Sequence, residues 1–247
     1  MPAAQGMTRA RLRYYTPPVD CAGALVLCPG WNGDGAGLIR DSRWQEFARK
    51  HKFVLVGLDF ASPDADEKSH AGKSEANAYH RTEKGSGRLL FEGLRQIVKK
   101  DVPLTLFGFS RGGQFVNSLV ARHPERVRVW GCTGSAFTEE FPAKAKIKPP
   151  GVVVCGLKDG NTSSSLAMFF SGLRAKWRVC WLGVPGSGHV IEPRAAAWVR
   201  EFFDAVLSAP ADVPGVWVES EERGLEGFIV RSWCPNEKTK KTWEAFR

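Results

Sequence analysis

Ser110 is the residue around which chemistry could be built, in Gly108-Phe109-Ser110-Arg111-Gly112-Gly113. Glycines on both sides permit a tight turn. The apolar run Val102-Pro103-Leu104-Thr105-Leu106-Phe107 before it reads as a strand, and Gln114 to Arg122 after it as a helix. A serine at the tip of such a turn projects its hydroxyl out of the sheet, and the helix N-terminus aims amides at any charge formed there. The bare Gly-x-Ser-x-Gly pattern is weak, because an inert turn serine carries the same letters. A serine attacks at neutral pH only beside a base, and the base needs a carboxylate to fix its tautomer. The rest of the chain must supply both.

Five histidines are available: His51, His70, His80, His123 and His189. His51 precedes a strand, at its wrong end, and His123 closes the helix after the serine turn. His70 and His80 lie in a polar stretch before Ser110. Only His189 follows a late strand, in the glycine-rich loop Val184-Pro185-Gly186-Ser187-Gly188-His189. For the acid, Asp159 lies just beyond the strand before that one, in Gly156-Leu157-Lys158-Asp159-Gly160. Asp159 also suits a turn or helix cap, and the two roles are compatible. Glu192 is the rival acid. A tetrahedral oxyanion needs two amide donors. The amide of Arg111, directly after the serine, is one. The loop Pro29-Gly30-Trp31-Asn32-Gly33-Asp34-Gly35-Ala36-Gly37 offers the other, with Trp31 the expected donor and Asn32 second. Trp31, Asn32 and Phe109 are candidate substrate contacts, and Phe137 a further apolar wall.

These residues need elements to hold them. Ala24 to Cys28, Phe53 to Leu58, Leu104 to Gly108, Val127 to Trp130, Val152 to Cys155 and Arg178 to Leu182 read as strands. Ser42 to Lys50, Gly87 to Lys100, the stretch after Ser110, Ser164 to Lys176 and Pro193 to Leu207 read as helices. Strict alternation predicts an α/β fold, a doubly wound and mostly parallel sheet with helices on both faces. Ligands in such sheets bind beyond the strand C-termini, where Ser110 falls. Residues 1–210 are expected to form the catalytic domain. Residues 211–247 are expected as a C-terminal extension, with Val216-Trp217-Val218 and Gly227-Phe228-Ile229-Val230 as a hairpin. Ala61 to Lys84 is polar and is expected to border the site.

Composition narrows the function classes. The 247 residues are 43% hydrophobic and 25% charged, ordinary for a soluble globular chain. No apolar run approaches the ~20 residues that span a bilayer. The segment Met1-Pro2-Ala3-Ala4-Gln5-Gly6-Met7-Thr8-Arg9 lacks an apolar signal core, so a cytoplasmic protein is expected unless a leader has been trimmed. Net charge is +9, but the basic residues are spread out and no aromatic-basic interleaving occurs, which argues against nucleic acid. Six cysteines without a CxxC pair give no zinc or thioredoxin-like signal, and buried free thiols are expected, Cys21 with Cys234 being the pair to watch. No Gly-Lys-Ser/Thr phosphate cradle exists, and Asp34 lacks partners at metal-ligand spacing. No cofactor and no metal are expected, and nothing in the sequence sets an oligomeric state.

With these pieces in place, the chain from about Ala24 to Leu207 resembles the α/β-hydrolase superfamily. The likeness rests on P-G-W-N-G, G-F-S-R-G-G, G-L-K-D-G and G-S-G-H. It is nearest in style to dienelactone-hydrolase-like, polyhydroxybutyrate-depolymerase-like and feruloyl-esterase-like proteins, although Pro29 stands where those often carry histidine. The resemblance implies a Ser110-His189-Asp159 triad, an acyl-enzyme intermediate and no cofactor. The short connection Gly131 to Gly151 predicts that no large lid covers the site. The expected function is hydrolysis of small carboxylic esters by a carboxylesterase-type enzyme. A peptidase or acyltransferase on the same triad, and a non-catalytic binding protein of the same fold, are the alternatives.

Overall fold

The computed structural model describes residues 6–17, 20–63, 78–210, 214–221 and 229–246. His70 and the greater part of the polar stretch lie outside them, as do Gly227 and Phe228 of the expected hairpin.

Six strands run parallel and build the frame: β2 (Gly23–Cys28), β3 (Phe53–Ala61), β4 (Leu104–Phe109), β5 (Val127–Thr133), β6 (Gly151–Gly156) and β7 (Val179–Val184). A further strand, β1 (Arg9–Tyr15), joins antiparallel to β3, giving the order β1-β3-β2-β4-β5-β6-β7. The frame strands are mostly apolar and buried because helices cover both faces. Val26, Val56, Leu106 and Val153 belong to a core with α3 (Ser86–Val98), α4 (Arg111–Arg122) and α5 (Thr162–Arg174). Their neighbours Leu25, Leu55, Phe107 and Val152 face the other way, toward α2 (Ser42–His51) and α6 (Pro193–Ser208). Period-two alternation thus fills two cores from one sheet.

The expected elements form, with ends displaced by a few residues. α1 (Ala36–Arg40) was hidden in the glycine-rich loop. β1 was hidden by its arginines: Arg9 and Arg13 both ion-pair with Asp59, which is buried on β3. The connection from β5 to β6 is a run of turns with no inserted lid.

The tail forms a hairpin of β8 (Val216–Glu221) and β9 (Ile229–Cys234), followed by α7 (Glu237–Glu244). It packs along β7, whose outer edge would otherwise present unpaired backbone groups. Ser232 Oγ accepts from the Trp181 amide at 3.0 Å, and Trp243 Nε1 donates to the Trp181 carbonyl at 2.6 Å. Trp233, Cys234 and Trp243 are buried in the same core as α2 and α6. All six cysteines are buried and none is in a disulfide. Cys234 lies 4.0 Å from Cys180, sulfur to sulfur, while Cys21 belongs to the core on the opposite face. The two cysteines singled out in the sequence are therefore not neighbours.

Candidate active site

Ser110 caps α4 with φ 53° and ψ −120°, a backbone conformation that L-residues rarely adopt. The turn is held from both sides. The Ser110 amide donates to the Thr133 carbonyl, and the Ser110 carbonyl accepts from Gly113 and Gln114. Gly112 explains the close approach: a Cβ there would run into the carbonyl oxygens of Cys28 and Pro29. The N-terminus of α4 can therefore lie against the loop after β2. In that loop, a Cβ at Gly30 would sit 3.7 Å from that of Ser110.

The loop after β7 brings His189 over this turn. Its Nε2 lies 3.0 Å from Ser110 Oγ, and its Nδ1 lies 2.8 Å from Asp159 Oδ2. The Phe109 ring packs against the imidazole with centroids 4.9 Å apart. Asp159 is buried, whereas the His189 side chain is 44% exposed, so the hydrogen-bonded chain runs from protein interior to open solvent. The second carboxylate oxygen of Asp159 accepts from the Asn161 amide at 2.8 Å, so the turn role and the histidine contact coexist. Glu192, the rival acid, accepts from the Ala195 amide and caps α6 instead.

The remaining histidines are elsewhere. His51 meets Asp204, and His123 lies near Glu125. His80 is buried, and burial with Arg111 and Arg81 nearby pushes it down to about 3.

Trp31 lies beside the serine turn, its ring stacked on Tyr79 at 5.8 Å, with the Arg111 guanidinium 4.8 Å from its centroid. Asn32 spends its side chain on the loop itself. Its Nδ2 donates to the Ser62 carbonyl and its Oδ1 accepts from the Ser62 amide. This ties the loop after β2 to the end of β3, and the Arg9 guanidinium holds the Asn32 carbonyl. Phe137 is half-buried, packs on the α3–α5 core, and has its amide fixed by Ser164 Oγ.

Two residues that hold this arrangement were not singled out from the sequence. Gly134, at the end of β5, has φ 55°, and a Cβ there would lie 2.9 Å from Asp159 Oδ2 and 3.3 Å from His189 Nδ1. Asn161 Nδ2 fixes it by donating to its carbonyl. The sequence signal was present, a glycine closing the strand beside the serine strand, but its meaning depends on the folded distance. Among the described residues, no group of His, Cys, Asp and Glu is arranged to hold a metal, and no helix is long and apolar enough to cross a membrane.

No protein-family model matches the chain, and no curated protein matches it. Solved structures do. Esterase PE8 superposes with a TM-score of 0.65 at 16% identity, covering 81% of this chain and 100% of that one. The Bacillus cereus carboxylesterase gives 0.60 at 11% identity, covering 81% and 95%. An S-formylglutathione hydrolase from Agrobacterium tumefaciens gives 0.61 at 12%, covering 80% and 89%. Likeness at such low identity establishes the architecture: this chain has the α/β-hydrolase fold.

Proposed function

We propose that this protein is a serine hydrolase that cleaves small carboxylic esters. The observation that carries the proposal is the chain Asp159–His189–Ser110, assembled from three separate strand ends at hydrogen-bond distances. The esterase and hydrolase neighbours support the same reading at the level of fold.

In this reading Ser110 Oγ attacks the ester carbonyl while its proton passes to His189 Nε2. Asp159 accepts from Nδ1–H, which sets the tautomer and stabilises the imidazolium. The carbonyl oxygen becomes an oxyanion, held by the amides of Arg111 and Trp31. The contact of Gly112 with the loop after β2 keeps those two backbones together. Collapse expels the alkoxide, which takes the proton from His189 and leaves an acyl-serine. Water then attacks, giving its proton to His189, and the acid departs as Ser110 regains its hydrogen. The exposed imidazole, and a β5–β6 connection that inserts no lid, leave water access to the acyl group, which favours hydrolysis over transfer to a second alcohol.

The test is turnover of p-nitrophenyl acetate. Ser110→Ala should lose at least about three orders of magnitude in kcat/KM, because the triad acts as a unit. Turnover at the parent rate in that variant would exclude the proposal. Comparing an aminoacyl arylamide with the aryl ester separates a peptidase from an esterase.

A further inference from the structure

Beside Ser110, on the α2–α6 side of the sheet, lies a cavity of about 310 Å³. Its walls include Gly30 from the loop after β2, Phe109 at the end of β4 and Ile191 from the loop after β7. The cavity adjoins the candidate site through these residues: Phe109 packs on the His189 ring, and a Cβ at Gly30 would sit 3.7 Å from that of Ser110. Its floor is apolar, made by Leu27, Trp44 and Phe107, all buried.

The polar groups at its rim are Asp41, Arg43 and Arg200. Asp41 is taken by Arg43, which donates to it from its backbone amide, Nε and Nη2. Arg200 has no such partner. Its guanidinium lies 5.1 Å from the Trp44 ring centroid and makes no hydrogen bond or ion pair among the described residues. The carboxylates nearest in sequence on its own helix are engaged, Glu201 with Lys238 and Asp204 with Lys50 and His51. The rim thus carries one carboxylate and two guanidiniums, with one cation left over. Arg200 is half-buried, and burial together with the neighbouring Arg43 pushes its pKa down against the opposing pull of Asp41, so the charge sits partly desolvated and only partly offset. A partly desolvated guanidinium fixed on an aromatic ring presents a planar fork matched to a carboxylate.

From this arrangement we infer that the cavity receives the acyl arm of an ester whose far end is a carboxylate, and that Arg200 is the specificity-determining residue that binds it. The inference rests on the esterase reading for the reaction at Ser110. The preferred substrates are then half-esters of short dicarboxylic acids, with the methylenes against Trp44 and Phe107 and the terminal carboxylate on Arg200.

The test compares kcat/KM for p-nitrophenyl hydrogen adipate with that for p-nitrophenyl hexanoate, one chain length with and without the anion. The wild-type protein should prefer the adipate. Arg200→Met keeps an apolar stem on Trp44 and should lower the adipate-to-hexanoate ratio about 10- to 100-fold, mostly through KM, the size expected for a charge-assisted hydrogen bond. Arg200→Lys should keep part of the preference. Arg128→Gln removes the same charge at the other end of the sheet and should leave the ratio unchanged. An equal ratio in wild type and Arg200→Met would overturn the inference, as would no preference in the wild type. Should Arg200→Met not fold, the wild-type preference must shrink as ionic strength rises, and a salt-independent ratio overturns the inference. Calorimetric binding of monomethyl adipate to the Ser110→Ala protein separates the two proposals. It requires no turnover, so loss of that binding in the added Arg200→Met background supports the anion site even if Ser110 proves not to be the nucleophile. Retained binding sinks the anion site alone.

Discussion

Ser110 occupies a backbone conformation at φ 53° and ψ −120° that costs a non-glycine residue about 1–3 kcal/mol. The conformation aims Oγ at His189, so the strain belongs to the site and not to the general architecture. Ser110→Gly and Ser110→Ala should both abolish ester turnover. The glycine variant should be more stable than the alanine variant by about 1 kcal/mol in denaturant unfolding, because only glycine relaxes this φ. His80 gives a second residue-level expectation. The unfolded chain takes up a proton near pH 6.5, whereas folded His80 stays neutral until about 3. Between those values the unfolded state binds the extra proton, so stability falls as pH falls. The slope from this group is at most about 1.4 kcal/mol per pH unit. His80→Phe should flatten that acid limb in unfolding midpoints taken at neutral and acidic pH, and an unchanged slope would show that His80 does not drive it.

At the scale of elements, the site depends on the contact between the start of α4 and the loop after β2. Gly112→Ala would force the carbonyls of Cys28 and Pro29 away from the serine turn. Displacement of a catalytic loop by about 1 Å costs about 100-fold. Activity should fall by at least that much while circular dichroism stays native-like, and full activity would remove the contact from the account. Much of this frame was legible in the sequence. Strands buried on both faces appear as unbroken apolar runs, and their alternation with helices orders the strand ends, which is why Asp159 and His189 could be chosen from position alone. What escaped has physical causes. β1 is rich in arginine because two of its side chains neutralise Asp59. α7 carries a single buried large apolar residue, Trp243, among lysines and threonines, so no apolar stripe announces it. Gly134 matters only through distances to residues far along the chain, and the Arg200 cavity exists only once α2 and α6 stand side by side.

Over the whole molecule, the sheet ends on one side in the arginine-rich strand β1 and on the other in β7, which the tail covers. The tail does this with side chains. Trp243 supplies a donor to the Trp181 carbonyl and fills the core shared by α6 and α7. Trp243→Ala should therefore lower unfolding stability by about 3–5 kcal/mol, with turnover per folded molecule little changed. β2, β4, β6 and β7 each end in one of the loops of the proposed site, so the sheet as a unit sets the distances between Asp159, His189 and Ser110. The most direct test of that arrangement is mass-spectrometric mapping of the adduct left by a fluorophosphonate on the native protein. One stable adduct is expected, on the peptide containing Ser110, absent after denaturation before labelling and absent in His189→Ala. Native protein that remains unlabelled at Ser110, or labelling that persists without His189, would contradict it.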